Sequence, residues 1–156
     1  MKPHIGISEK DQQAVAVILN TLLADEFLLY AKTRKFHWNV IGPQFHDLHK
    51  FFEAQYEELD EAVDEVAERV RAVGGKAFGT LSEFLENTRL KEAPGKNPNA
   101  SGMIGELLHD HESLIQNLRS DLETCAEHGD AGTNDFLTGL MERHEKMAWM
   151  LRSLNS

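Results

Sequence analysis

Cysteine is nearly missing from this 156-residue chain. Cys125 stands alone, so no internal disulfide can form, and a reducing compartment is the expected setting. Proline occurs only at positions 3, 43, 94 and 98, and glycine gathers at 42, 74/75, 95, 102/105 and 129/132, leaving long tracts without a breaker. No strand alternation, internal repeat or low-complexity tract competes with a helical reading. The opening residues, MKPHIGISEKDQQ, lack the apolar run of a signal peptide, and no stretch is expected to span a membrane, so a cytoplasmic protein is expected. Basic charge is short as well: 16 Lys and Arg against 26 Asp and Glu leave −10. That balance repels nucleic acid and anionic membranes and attracts metal cations, although acidic surfaces also serve solubility. A chain of this length can bury roughly two thirds of its unfolded surface, so one domain over residues 1–156 should stand without disulfide or structural metal.

What is present is helical periodicity. Ser8 is placed to cap a first helix carrying Val15, Ile18, Leu19, Leu22, Leu23 and Leu29, which stops ahead of Gly42-Pro43. A second runs from about Phe45 to Val73. Its apolar positions, Leu48, Phe52, Tyr56, Leu59, Val63, Val66, Val70 and Val73, recur every three or four residues. A short helix over Leu81 to Asn87 and the loop KEAPGKNPNASG lead to a third long helix, about Ser101 to Glu127. After a turn at Gly129–Gly132, the last helix is expected to begin behind Thr133 and to reach about Leu154. Four long helices with one long crossover describe an all-α, ferritin-like four-helix bundle with a short extra helix in the crossover.

The chemistry-bearing residues lie at the first hairpin, in FHWNVIGPQFHDLH. Folding back at Gly42-Pro43 sets His37 and His49 at similar heights on helices about 8–10 Å apart, a gap two imidazoles can bridge to a common ion. Two neutral histidines lack the anionic oxygen that iron or manganese favours. The second helix holds nine acidic residues, and His49, Glu53, Asp60, Asp64 and Glu68 fall in one strip about 100° round from its apolar stripe. Asp64 lies fifteen residues beyond His49, however, which is about 22 Å at 1.5 Å per residue. No single ion touches both. If two copies of this helix cross antiparallel near Glu57 about a two-fold axis, His49 of one chain meets Asp64 and Glu68 of the other. The competing site inside one bundle needs two Glu-x-x-His pairs, and only Glu106 with His109 fits; His109 and His111 read more simply as a polar face or core histidines.

The segments HWNVIGPQFHDLH and LDEAVDEVAERV resemble the Dps family of mini-ferritins, in helix order and motif spacing over nearly the whole chain. The family pattern has two histidines twelve apart and then an aspartate and a glutamate on the second helix, places held here by His37, His49, Asp64 and Glu68. Glu53 matches a further acidic position that helps hold a second iron. The resemblance implies a hollow homo-dodecamer with two irons at each ferroxidase centre on the two-fold interfaces. Ferrous iron is oxidised there, typically with hydrogen peroxide, and stored as ferric mineral. It also implies that Trp38, beside the site, intercepts oxidising equivalents; plain interface packing accounts for it equally well. The family's three-fold pores lie at the start of the last helix, which makes Asp130 and Asp135 candidate metal-guiding residues. Both also suit a helix start through the dipole.

The family's DNA binding often uses a lysine-rich tail. Here Lys2 and Lys10 stand against Glu9 and Asp11, and twelve copies would carry about −120, so DNA binding is expected to be weak or absent. The alternative to a ferroxidase is a non-enzymatic assembly that protects DNA or serves as a scaffold, with structural histidines. A mononuclear oxygenase site at His128-Gly-Asp130 is outweighed by an ordinary turn.

Overall fold

Local chemistry at each helix end decides where the elements begin. In the computed structural model, which describes residues 3–154, α1 (Glu9–Asn39) starts behind Ser8, whose Oγ accepts the Asp11 amide at 3.2 Å. Gly42, at φ +118°, makes the left-handed turn that returns the chain into α2 (Phe45–Ala72). The short α3 (Leu81–Asn87) opens with a reciprocal box in which Thr80 caps the Glu83 amide and the Glu83 carboxylate accepts from the Thr80 amide. Asn99 caps α4 (Ala100–Glu127), and α5 (Ala131–Leu154) completes the chain. Among the described residues there is no strand. The all-α reading and the extra helix in the crossover stand.

One boundary differs from the sequence reading. The start of α5 is fixed by Asp130, not Thr133: Asp130 accepts the Thr133 amide at 2.8 Å and the Thr133 hydroxyl at 2.5 Å. Arg69 of α2 explains the shift, since it donates to Asp130 at 3.0 Å and to Thr133 Oγ1 at 2.9 Å, clamping the two helices together.

Two hairpins, α1–α2 and α4–α5, pack their apolar faces together. Leu19, Leu22, Leu29, Phe52, Leu59, Leu107, Leu114, Leu118 and Leu137 are all fully buried. Each such side chain contributes about 1.5–3 kcal/mol relative to an exposed position. The stripe read for α2 is correct in phase but shifted at its edges: Tyr56 and Val63 are half-buried, while Gln55 and Ala62 are buried. A correction applies to α1, which is long and apolar enough by composition to cross a membrane, with mean hydropathy 1.6 over its most apolar window. In the fold that apolarity faces the other helices.

The long crossover is tied down by polar side chains of α1. Asn20 donates to the Lys76 carbonyl and accepts the Phe78 amide, and Lys32 and Lys35 donate to the carbonyls of Lys91 and Lys96. Fully buried Asp25 accepts from Thr88 Oγ1, the Arg89 amide and Arg89 Nε at 2.6–2.9 Å. At the chain's start, Gln12 donates to the carbonyls of Pro3 and Ile7, and His128 Nδ1 meets Asp11 at 2.8 Å. Lys2, part of the tail considered for DNA contact, lies outside the described residues.

Candidate metal centre at the first hairpin

His37 is buried in the last turns of α1 and His49 half-buried in the second turn of α2. Their rings stack with centroids 3.8 Å apart and planes 19° from parallel. The hairpin holds each ring by the other's backbone: His37 Nδ1 lies 2.8 Å from the His49 carbonyl, and His49 Nδ1 lies 2.9 Å from that of His37. A carbonyl only accepts, so both Nδ1 atoms carry a proton, and in the neutral form of each ring Nε2 keeps the lone pair. The turn thus fixes two candidate nitrogen donors side by side. Because the rings are nearly parallel, their in-plane lone pairs lie in separate planes.

Aromatic side chains wall this pair. Phe45 stacks on His49, with centroids 5.2 Å apart, and Tyr56 sets its edge against His37 at the same distance. Behind them the Arg34 guanidinium lies over the rings of Tyr56, Trp38 and Tyr30 at 4.5, 5.4 and 5.6 Å, and it donates to Tyr30 Oη at 2.7 Å. Trp38 itself is 65% exposed, beside the histidines but turned out of its own bundle.

Acidic ligands are near only in part. Glu53 is half-buried one turn beyond His49 and pairs with Lys50 at 2.6 Å. Lys50 holds its carboxyl below the usual carboxylate range, and the two histidines add a weaker pull in the same direction. Asp64 and Glu68 are exposed further along α2. Among the described residues, no three His, Cys, Asp or Glu side chains of one chain gather in a metal-holding group. A groove of about 660 Å³ lies elsewhere, between the crossover and α4, with Glu106 and His109 on its wall. That pair is therefore outside the bundle interior.

Asp130 and Asp135 part company. Asp130 is 3% exposed and committed to Arg69 and Thr133, whereas Asp135 is exposed on α5. His111 is a core histidine, as one reading of the sequence had it. Three participants escaped that reading: Arg34, Tyr56 and His144. Tyr30, Arg34 and Trp38 do recur every four residues, a signal that would have placed them on one face of α1.

With this geometry in hand, the likeness to known proteins has residues to rest on. The Ferritin-like domain family matches residues 17–156. The chain is 50% identical to a low temperature-induced protein of Nostoc sp., over 96% of this chain and 84% of that one. It is 40% identical to DNA protection during starvation protein 2 of Bacillus anthracis, over 89% and 94%. Among solved structures, the Dps protein from Bacillus brevis superposes with a TM-score of 0.91 at 37% identity, covering 96% of this chain and all of that one. The Dps protein of Vibrio cholerae O1, described as a member of a broad superfamily of ferritin-like diiron-carboxylate proteins, gives 0.93 at 30% identity, covering 99% and 97%. By family match, by identity over most of its length and by fold, the chain belongs to the Dps family of ferritin-like proteins.

Proposed function

We propose that the protein oxidises and stores iron, and that its ferroxidase centres form between chains. His37 and His49 of one copy supply neutral nitrogen ligands, and Asp64 and Glu68 of a second copy supply anionic oxygen, with Glu53 reaching the second of two irons. The observation that carries this reading is the reciprocal bonding of His37 and His49 to each other's carbonyls, which leaves two Nε2 atoms ready while the matching acids are exposed. A fixed tautomer of this kind is what a metal-binding histidine needs.

Ferrous iron is the substrate. Imidazole and carboxylate ligands accept Fe(II) and leave positions for the oxidant, and carboxylate oxygen favours the higher charge of the product. Each of two Fe(II) ions gives one electron; hydrogen peroxide takes both, its O–O bond breaks, and two protons complete two waters. This paired step withholds peroxide from one-electron chemistry that yields hydroxyl radical, so storage also protects. Whether peroxide or dioxygen is the preferred oxidant is an outcome of the assay. Trp38, placed beside the pair, is assigned the interception of stray oxidising equivalents. Asp135, exposed near the start of α5, is the better placed of the two acids to guide iron inward; Asp130 serves as the helix cap beneath it.

The assembly is a cytoplasmic homo-oligomer, a dodecamer by family resemblance. Adding Fe(II) anaerobically and then peroxide should produce ferric absorbance, which a purely architectural assembly would not give. Chains carrying His37→Ala and chains carrying Asp64→Ala should each be inactive alone and regain activity when mixed, because some interfaces then hold an intact site. Mixed shells with no recovery would overturn shared centres. DNA is not a partner at physiological salt: in about 0.1 M salt a gel shift with the metal-free assembly should show no retardation, and robust retardation would refute this.

A further inference from the structure

The bundle interior holds a second histidine pair, which the proposed iron chemistry does not use. Glu26 of α1, His111 of α4 and His144 of α5 are all 0% exposed. They form a chain of hydrogen bonds: His144 Nε2 to Glu26 Oε1 at 2.8 Å, and His144 Nδ1 to His111 Nδ1 at 2.9 Å. The far ends, Glu26 Oε2 and His111 Nε2, are buried without a partner. Such ends are unusual in a folded core and call for a reason.

We infer that Glu26, His144 and His111 form an acid-sensitive latch, in which one proton shared between two facing imidazole nitrogens holds α4 to α5 and the charging of both rings releases them. The carboxylate only accepts, so His144 Nε2 carries a hydrogen. If His144 is neutral, its Nδ1 is bare and His111 donates; if His144 is charged, it donates and the Nδ1 of His111 accepts. Either way one proton lies between the rings. Charging His111 as well sets N–H against N–H at a distance of 2.9 Å, between two fully buried rings.

Among the described residues, Glu26 is the one carboxyl bonded to this pair, and it reaches His144, not His111. Glu26 faces His144, and the buried polar residue that α2 contributes, Gln55, is uncharged and bound to the Met147 carbonyl. Asp110 beside His111 pairs with Lys32, Glu145 beside His144 with Arg119, and Arg143 with Glu65. Burial, and then His144, hold His111 well below its ordinary 6.5. The unfolded chain takes that proton near 6.5 and the folded chain refuses it, so stability falls as pH drops below this value.

The test is hydrogen exchange on the intact assembly at pH 7.5 and 5.0, corrected for the intrinsic rate. In the wild-type protein, amide protection around residues 107–118 and 140–148 should fall at least about tenfold, the response of a local opening that titrates. In His111→Leu the fall should shrink to less than about threefold. If that variant fails to fold, His111→Gln, which keeps a donor near His144, is read by the same criterion. His128→Gln, which removes the distant pair with Asp11, should keep the wild-type fall. Flat wild-type protection, an undiminished fall in the His111 variant, or a fall abolished by His128→Gln would each overturn the latch.

Discussion

Two histidine pairs, one on each hairpin, use the same residue type for opposite ends. His37 and His49 cross the α1–α2 hairpin and give their Nδ1 protons to backbone carbonyls. His111 and His144 cross the α4–α5 hairpin and turn their Nδ1 atoms on each other. The first pair spends only one nitrogen per ring on the fold, and the proposed iron site would use the other. The second spends both nitrogens of His144 inside the core, on His111 and Glu26, and seals the remaining His111 Nε2 away from solvent. What separates the two pairs is thus the partner of Nδ1, a backbone carbonyl in the first and the other imidazole in the second, together with the full burial of the second pair.

Breaking each pair should therefore damage different properties. The largest effect belongs to the core: His144→Leu leaves the Glu26 carboxyl and the His111 Nδ1 buried without their hydrogen-bond partner, which costs about 1–3 kcal/mol for each group. Chemical denaturation would measure it. Whatever protein still assembles should oxidise iron at the wild-type rate, and a selective loss of oxidation would erase the distinction between the pairs. At the hairpin, His37→Ala should lower peroxide-dependent iron oxidation by at least about 100-fold, the upper end of what losing even a ligand's supporting partner costs. Its effect on stability should stay near about 1 kcal/mol, the worth of one hydrogen bond. Stopped-flow absorbance and a thermal melt on the same sample separate the two readouts.

How visible each pair is in the sequence follows from how it is built. The helices were legible because their apolar positions recur at helical spacing and because Ser8, Gly42 and Gly74 punctuate them. The meeting of His37 and His49 was legible because they are only twelve residues apart across one turn, and the distance from them to Asp64 and Glu68 because α2 is one unbroken helix along which residues can be counted. His111 and His144 are 33 residues apart, on helices whose register depends on where α5 starts. That start is set by Asp130 and Arg69, a contact between distant segments that a reading placing it behind Thr133 does not contain. Arg34 and Tyr56 were missed for another reason: their meeting depends on how the two hairpin helices pack, which periodicity within one helix does not specify.

The smallest expected effect sharpens the comparison at the ligand pair itself. Lys50 donates to Glu53 at 2.6 Å, and this contact holds the Glu53 carboxyl below its ordinary 4.5. In Lys50→Met the carboxyl should move back up, so protons compete with iron at a higher pH than in the wild type. The acid limb of iron oxidation against pH should then shift upward, while the rate near neutrality, where Glu53 is ionised in both proteins, should not fall. A limb that stays in place would mean that Glu53 takes no part in holding iron. A neutral rate that collapses would mean that Lys50 itself supports the site, and the ligand pair would then depend on surface charge as the buried pair does not.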